Sequence, residues 1–90
     1  MKLEDAFFNW LQMKIVSEAR PDDRAAEDTR LFFEEILRED HSVTSYQITD
    51  DDSKIVITYQ IGEEVKKLQF EKENAEQLLT DINSNPIYNQ

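Results

Sequence analysis

The apolar positions of the first twenty residues recur at helical spacing. In LEDAFFNWLQMKIVSEAR, residues 3–20, the side chains of Leu3, Phe7, Phe8, Trp10, Leu11 and Ile15 share one broad arc when placed at about 100° per residue. Met13 and Val16 fall outside that arc, so the predicted helix is apolar around more than half its circumference. Such a helix sits centrally in a core or contributes to an association surface. Glu4 and Asp5 in its first turn and Arg20 in its last complement the helix dipole.

Pro21 interrupts this pattern, because proline disfavours the helical region for Arg20 before it and suits the opening of a new helix. Asp22 and Asp23 are placed to accept the exposed amides of that opening. A second helix is predicted over 22–39, with Ala26, Thr29, Phe32, Phe33, Ile36 and Leu37 on one face. On the other face Arg24 and Asp28, Arg30 and Glu34, and Glu34 and Arg38 stand four apart, each pair worth about 0.2–0.5 kcal/mol. Two helices joined this closely predict an antiparallel hairpin over 3–39.

From residue 43 the period shortens to two. SVTSYQIT (42–49), KIVITYQI (54–61) and VKKLQF (65–70) are β-branched and aromatic, and read as three strands. Gly62 and Glu63 form a two-residue turn with glycine first, which suits type II′. That turn sets Ile57 opposite Leu68 and Ile55 opposite Phe70. Across the first hairpin, pairing Ile48 with Ile55 sets Tyr46 opposite Ile57 and leaves a loop of residues 49–54. Both hairpins then agree on one apolar face of Tyr46, Ile48, Ile55, Ile57, Tyr59, Leu68 and Phe70. A slip of one residue would turn one strand's apolar set outward. Residues 72–83 predict a third helix, with Ala75, Leu78, Leu79 and Ile82 on a narrow stripe, and Pro86 stops its continuation in the tail 84–90. The order α-α-β-β-β-α, a three-stranded antiparallel meander (43–70) packed with three helices, is an α+β fold in one domain, 1–90.

Charge and composition narrow the chemistry. Twenty acidic against ten basic residues give a formal charge of −10, a field that repels phosphate backbones and anionic lipid, so neither nucleic acid nor a membrane surface is an expected partner. The chain contains no cysteine, hence no disulfide, thiolate nucleophile or sulfur-ligated metal, as suits a cytoplasmic protein. The first ten residues lack the features of a secretory signal, and no apolar run approaches the roughly 20 residues of a membrane span.

Candidate reactive groups each have a plainer role. Asp50, Asp51 and Asp52 lie in TDDDS, where short polar side chains bond neighbouring amides in a hairpin loop. A calcium loop needs ligands at alternating positions, a central glycine and a late glutamate, whereas here the acids are contiguous, no glycine follows them and Lys54 sits beside them. His41, the only histidine, sits near a helix C-terminus, where a cation is favoured, and position 38 is arginine, so the Glu-x-x-His metal pattern is missing. The carboxylates at 27, 28, 34 and 35 fall on the charged helix face, which keeps them from serving as an acid–base pair. No serine has a nucleophile-elbow context, and a single glycine excludes a phosphate-cradling loop. Asn85-Pro86-Ile87-Tyr88 matches the Asn-Pro-x-Tyr pattern, whose plainer reading is a helix stop followed by two covering side chains. No catalytic residue, cofactor or metal is expected.

Two surface features point to binding. The outward sheet face is predicted to carry Val43, Ser45 and Gln47, then Val56, Thr58 and Gln60, then Val65, Lys67 and Gln69, with lysine its one charge in a chain that is 33% charged. Either a helix covers this face, the first helix foremost, or a partner does. The third strand is guarded at its edge by Lys66 and Lys67, whereas the first has neither charge nor proline over Val43–Thr49. The leading expectation is a small acidic protein-interaction or regulatory module that uses its first strand to bind its own copy or a partner's peptide. The alternative, from another class, is a small-ligand binder with a pocket lined by Phe7, Trp10, Phe32, Phe33 and Tyr59, between the aromatic-rich helices and the sheet.

Overall fold

The computed structural model describes residues 1–84, so the expectations for the tail and for Asn85-Pro86-Ile87-Tyr88 lie outside the described residues. The elements follow in the expected order: α1 (Leu3–Ala19), α2 (Arg24–Glu39), β1 (Val43–Asp50), β2 (Lys54–Ile61), β3 (Glu64–Glu71) and α3 (Lys72–Ser84). Pro21 does end α1. Arg20 before it leaves the helical region at φ −129°, though its amide still reaches the Val16 carbonyl. α2 begins slightly later than expected because Asp23 is its N-cap, its carboxylate accepting from the Ala26 amide at 3.0 Å. That amide, helped by Arg20 at 3.2 Å, holds the Asp23 carboxyl below its ordinary range.

The sheet runs β1-β2-β3, antiparallel throughout. Its second hairpin has the expected register, Ile57 opposite Leu68 and Ile55 opposite Phe70. Gly62 has φ +60°, while Glu63 after it has an ordinary φ, which agrees with a type II′ turn.

The first hairpin differs from expectation in two ways. Ile48 pairs with Ile57 and Tyr46 with Tyr59, a slip of two residues from the expected partners. A slip of two leaves every side chain on its face, so the apolar pattern does not distinguish the two registers. The turn chemistry does. Asp51 donates its amide to the Lys54 carbonyl at 2.8 Å and its carboxylate caps the Asp52 amide at 2.8 Å, closing the loop within 51–53 and letting the strands extend.

The second difference is a bulge. Val43 pairs with Ile61 and Ser45 with Gln60, so Thr44 is an extra residue in β1. The bulge turns Val43 to the inner face, where it is 4% exposed and part of the core. Thr49 takes its place on the outer face, opposite Val56.

All three helices lie on the inner face. α1 is central: the Phe7 ring stands 5.7 Å from Tyr46 and 4.9 Å from Tyr59, Trp10 stands 4.9 Å from Tyr46, and Phe8 stands 5.5 Å from Phe70. α2 flanks α1 on the β1 side and α3 on the side of β2 and β3. Ala6, Phe7, Leu11, Leu37, Ile57 and Ala75 form the dry centre, each large side chain there contributing about 1.5–3 kcal/mol. Contrary to the sequence reading, α2 does not bury Phe32. Phe33 packs against the core, and Phe32, about 100° further round the helix, falls outside the buried arc, 56% exposed beside Leu31 at 48%.

Candidate functional site

Among the described residues, no helix packs on the outer face of the sheet. Across it run three rows: Ser45, Gln60 and Val65; Gln47, Thr58 and Lys67; Thr49, Val56 and Gln69. Ser45 and Gln47 are exposed, Val56, Thr58 and Gln60 on the central strand are half-buried, and Val65 is 65% exposed. The predicted cover by α1 is therefore corrected: α1 is consumed by the inner face, where Phe7, Trp10 and Leu11 are buried. Of the six candidate binding residues, Ser45, Gln47, Val56, Thr58 and Gln60 share this open face, and Val43 is separated from them by the bulge.

β1 is also an edge. Among the described residues it pairs with β2 alone, and Thr44, Ser45, Gln47 and Thr49 along it are exposed. An edge strand presents unpaired amides and carbonyls to any chain that can lie beside it. β3, the other edge, shows Lys66 and Lys67 exposed, with Lys66 reaching Glu64 at 3.3 Å.

Beneath the β1 edge, on the helix side, lies a cleft of about 350 Å³ between α1, α2 and Tyr46. Trp10 donates its indole N–H to Glu34 Oε2 at 3.0 Å, and Arg30 Nη1 donates to the same oxygen at 2.5 Å. Arg30 also stands 3.5 Å from Glu27, and Lys14 pairs with Glu18 at the rim. Burial, and then the Glu34 carboxylate, push the Tyr46 phenol above its ordinary range. Arg30 and Glu34 were expected on the solvated face of α2, but their side chains are each only 24% exposed. The helix is rotated so that this pair closes over Trp10. An indole N–H in a part-buried site needs an acceptor, and the carboxylate 24 residues away supplies it. Spacing along the chain gives no signal for that contact.

The ligand pocket expected from Phe7, Trp10, Phe32, Phe33 and Tyr59 is not assembled. Phe7 and Tyr59 are packed in the core and Phe32 faces solvent; of the five, Trp10 lines the cleft. Of the three aspartates, Asp51 and Asp52 form the hairpin loop as described, whereas Asp50 ends β1 opposite Ile55, and His41 Nε2 lies 3.0 Å from the Met1 carbonyl oxygen. Among the described residues no three His, Asp or Glu side chains are grouped to hold a metal ion, and no helix is long and apolar enough to cross a membrane. Comparison of the chain with models of protein families, with curated proteins and with solved structures found no match to any of them.

Proposed function

We propose that this protein is a non-catalytic interaction module, cytoplasmic and acidic, that binds a protein partner or its own copy through the β1 edge and the open sheet face beside it. The observation that carries this reading is the composition of the uncovered face. Its nine positions hold one charge, Lys67, in a chain that is 33% charged. Depletion of charge marks the centre of association surfaces, where desolvating an ion would be costly. The bare edge of β1 adds a row of backbone donors and acceptors at the margin of the same surface. A net charge of −10 keeps such a surface soluble when empty and favours basic partners.

The test is a pull-down from cell lysate paired with a mass measurement of the purified protein, for the wild type and for Ser45→Lys/Gln47→Lys. Both sites are exposed, so the fold tolerates lysine there. Loss of a stoichiometric partner, or of a dimer, in the double variant supports the reading. Unchanged recovery and unchanged mass would sink it. The cleft beside Trp10 favours a second reading, a small-ligand binder, for which quenching or enhancement of Trp10 fluorescence by a metabolite panel is the readout.

A further inference from the structure

The cleft and the free edge are next to one another because Tyr46 belongs to both: it is a β1 residue and a wall of the cleft. A strand added to β1 would lie about 4.8 Å away, with alternate side chains directed to the helix side. The residue opposite Tyr46 would have its Cβ about 4.5–5.5 Å from that of Tyr46, at the mouth of the cleft.

Charge and surface chemistry then select what that side chain is. Trp10 and Tyr46 give the cleft aromatic walls. Three carboxylates, Glu18, Glu27 and Glu34, face two cations, Lys14 and Arg30. Glu34 is already engaged by both the Trp10 indole and Arg30. Glu27 is not so held: its contact to Arg30 is 3.5 Å and its side chain is 55% exposed. A long side chain with an apolar stem and a cationic head suits rings within and a carboxylate at the rim. A second copy of β1 would not supply it, since VTSYQITD has no basic residue and ends in Asp50. Bringing two chains of charge −10 together opposes that pairing further.

We infer that the occupant of the β1 edge is an extended peptide with an arginine or lysine on its helix-facing side, the side chain lying along the cleft against Trp10 and Tyr46 and its head meeting Glu27. This rests on the interaction reading above and names the partner's chemistry.

The test uses the full chain, labelled with nitrogen-15, and three synthetic peptides of sequence Thr-Gln-Thr-X-Thr-Gln-Thr with X arginine, glutamate or leucine. The amides of β1 report edge binding and the Trp10 indole N–H reports the cleft. The expected result is movement of both with the arginine peptide, at an affinity at least about tenfold above that of the glutamate peptide. The variant Glu27→Lys, at an exposed site, is expected to abolish that preference while β1 amides still respond. Equal β1 shifts with all three peptides and an unmoved indole would overturn this inference and leave the interaction reading standing. Preference for the glutamate peptide would overturn it in favour of an acidic ligand held by Lys14 and Arg30. β1 amides that move on dilution without peptide would overturn it in favour of a second copy. No β1 response to any peptide or to dilution would remove both the inference and the edge-binding reading beneath it.

Discussion

Val43 and Ser45 stand two apart on one strand, and an unbroken strand would aim them the same way. The Thr44 bulge separates them, so the same substitution at each reads the bulge directly. At Ser45, exposed on the open face, aspartate is expected to change stability by no more than about 0.5 kcal/mol. At Val43, 4% exposed, two costs add. Losing the buried valine removes about 1.5–3 kcal/mol. The introduced carboxyl must then take up a proton to remain in the core. Against an ordinary value near 3.9, that costs about 2 kcal/mol at about pH 5.5 and about 5 kcal/mol at about pH 7.5. The higher total, about 6–8 kcal/mol, rivals the roughly 5–13 kcal/mol expected for a whole chain of this length.

The sign with pH is specific. The folded state holds a proton that the unfolded state releases, so the cost is absent below the unfolded-state value. It grows by about 1.4 kcal/mol per pH unit above it, until the carboxyl ionises in place or the chain unfolds. Urea unfolding followed by the fluorescence of Trp10, the sole tryptophan, at several pH values above the isoelectric point of 4.4, gives the measurement. Val43→Asp is expected to weaken steadily with rising pH, and Ser45→Asp to track the wild type. Equal midpoints for the two variants at every pH would refute the bulge and return Val43 to the outer face.

Other outcomes follow from single contacts. Asp23→Ala removes the α2 cap and is expected to cost about 1 kcal/mol. Because the folded Asp23 carboxyl is held below 3.8, the difference from wild type should be full above that pH and close as the pH falls through the lower folded value, as urea midpoints would show. Phe7→Leu breaks ring contacts with Tyr46 and Tyr59, each worth about 0.5–1.5 kcal/mol. Phe32→Leu, on the exposed side of α2, loses one ring contact, with Phe33, and is expected to cost less than Phe7→Leu, no more than about 1 kcal/mol in the same assay. Gly62→Ala meets no neighbouring atom, so its cost of about 1–2 kcal/mol is purely that of a positive φ and should appear in thermal melts. Tyr46 is expected to ionise above 10.0, and Glu34→Gln to lower that value in part, in an ultraviolet titration with the other tyrosines replaced by phenylalanine. Since the fold favours the neutral phenol, its contribution is full below 10.0 and is lost as the pH rises through the folded value.

Much of the fold was legible because its signals are local. Pro21, the helical arc of Leu3 to Ile15 and the Gly62 turn each act within a few residues, and the second hairpin's register followed from its turn. The first hairpin was harder because two registers two residues apart bury the same set, and the decision lay in how Asp51 folds its loop. A one-residue bulge leaves no mark in an alternating pattern, so Val43 was assigned to the wrong face. For the candidate site, the charge-poor outer face was visible from alternation alone, as five of its residues show. Whether a helix covered it was a question of volume: one inner face takes all of α1. The Trp10–Glu34 contact, between residues 24 apart on different helices, was not readable because Glu34 also fits the spacing of a solvated ion pair.

β3 passes into α3 without a connecting residue, and the Lys72 amide at that junction donates to the Ser53 carbonyl in the first hairpin's loop at 2.9 Å. The junction thereby fixes the angular phase of the last helix. One residue added between Glu71 and Lys72 would turn everything beyond it by about 100° about the helix axis. Ala75, fully buried, would leave the core, and the half-buried Leu78, Leu79 and Ile82 would turn with it. At the junction itself Glu71 is exposed and its side chain can vary, but the number of residues there cannot.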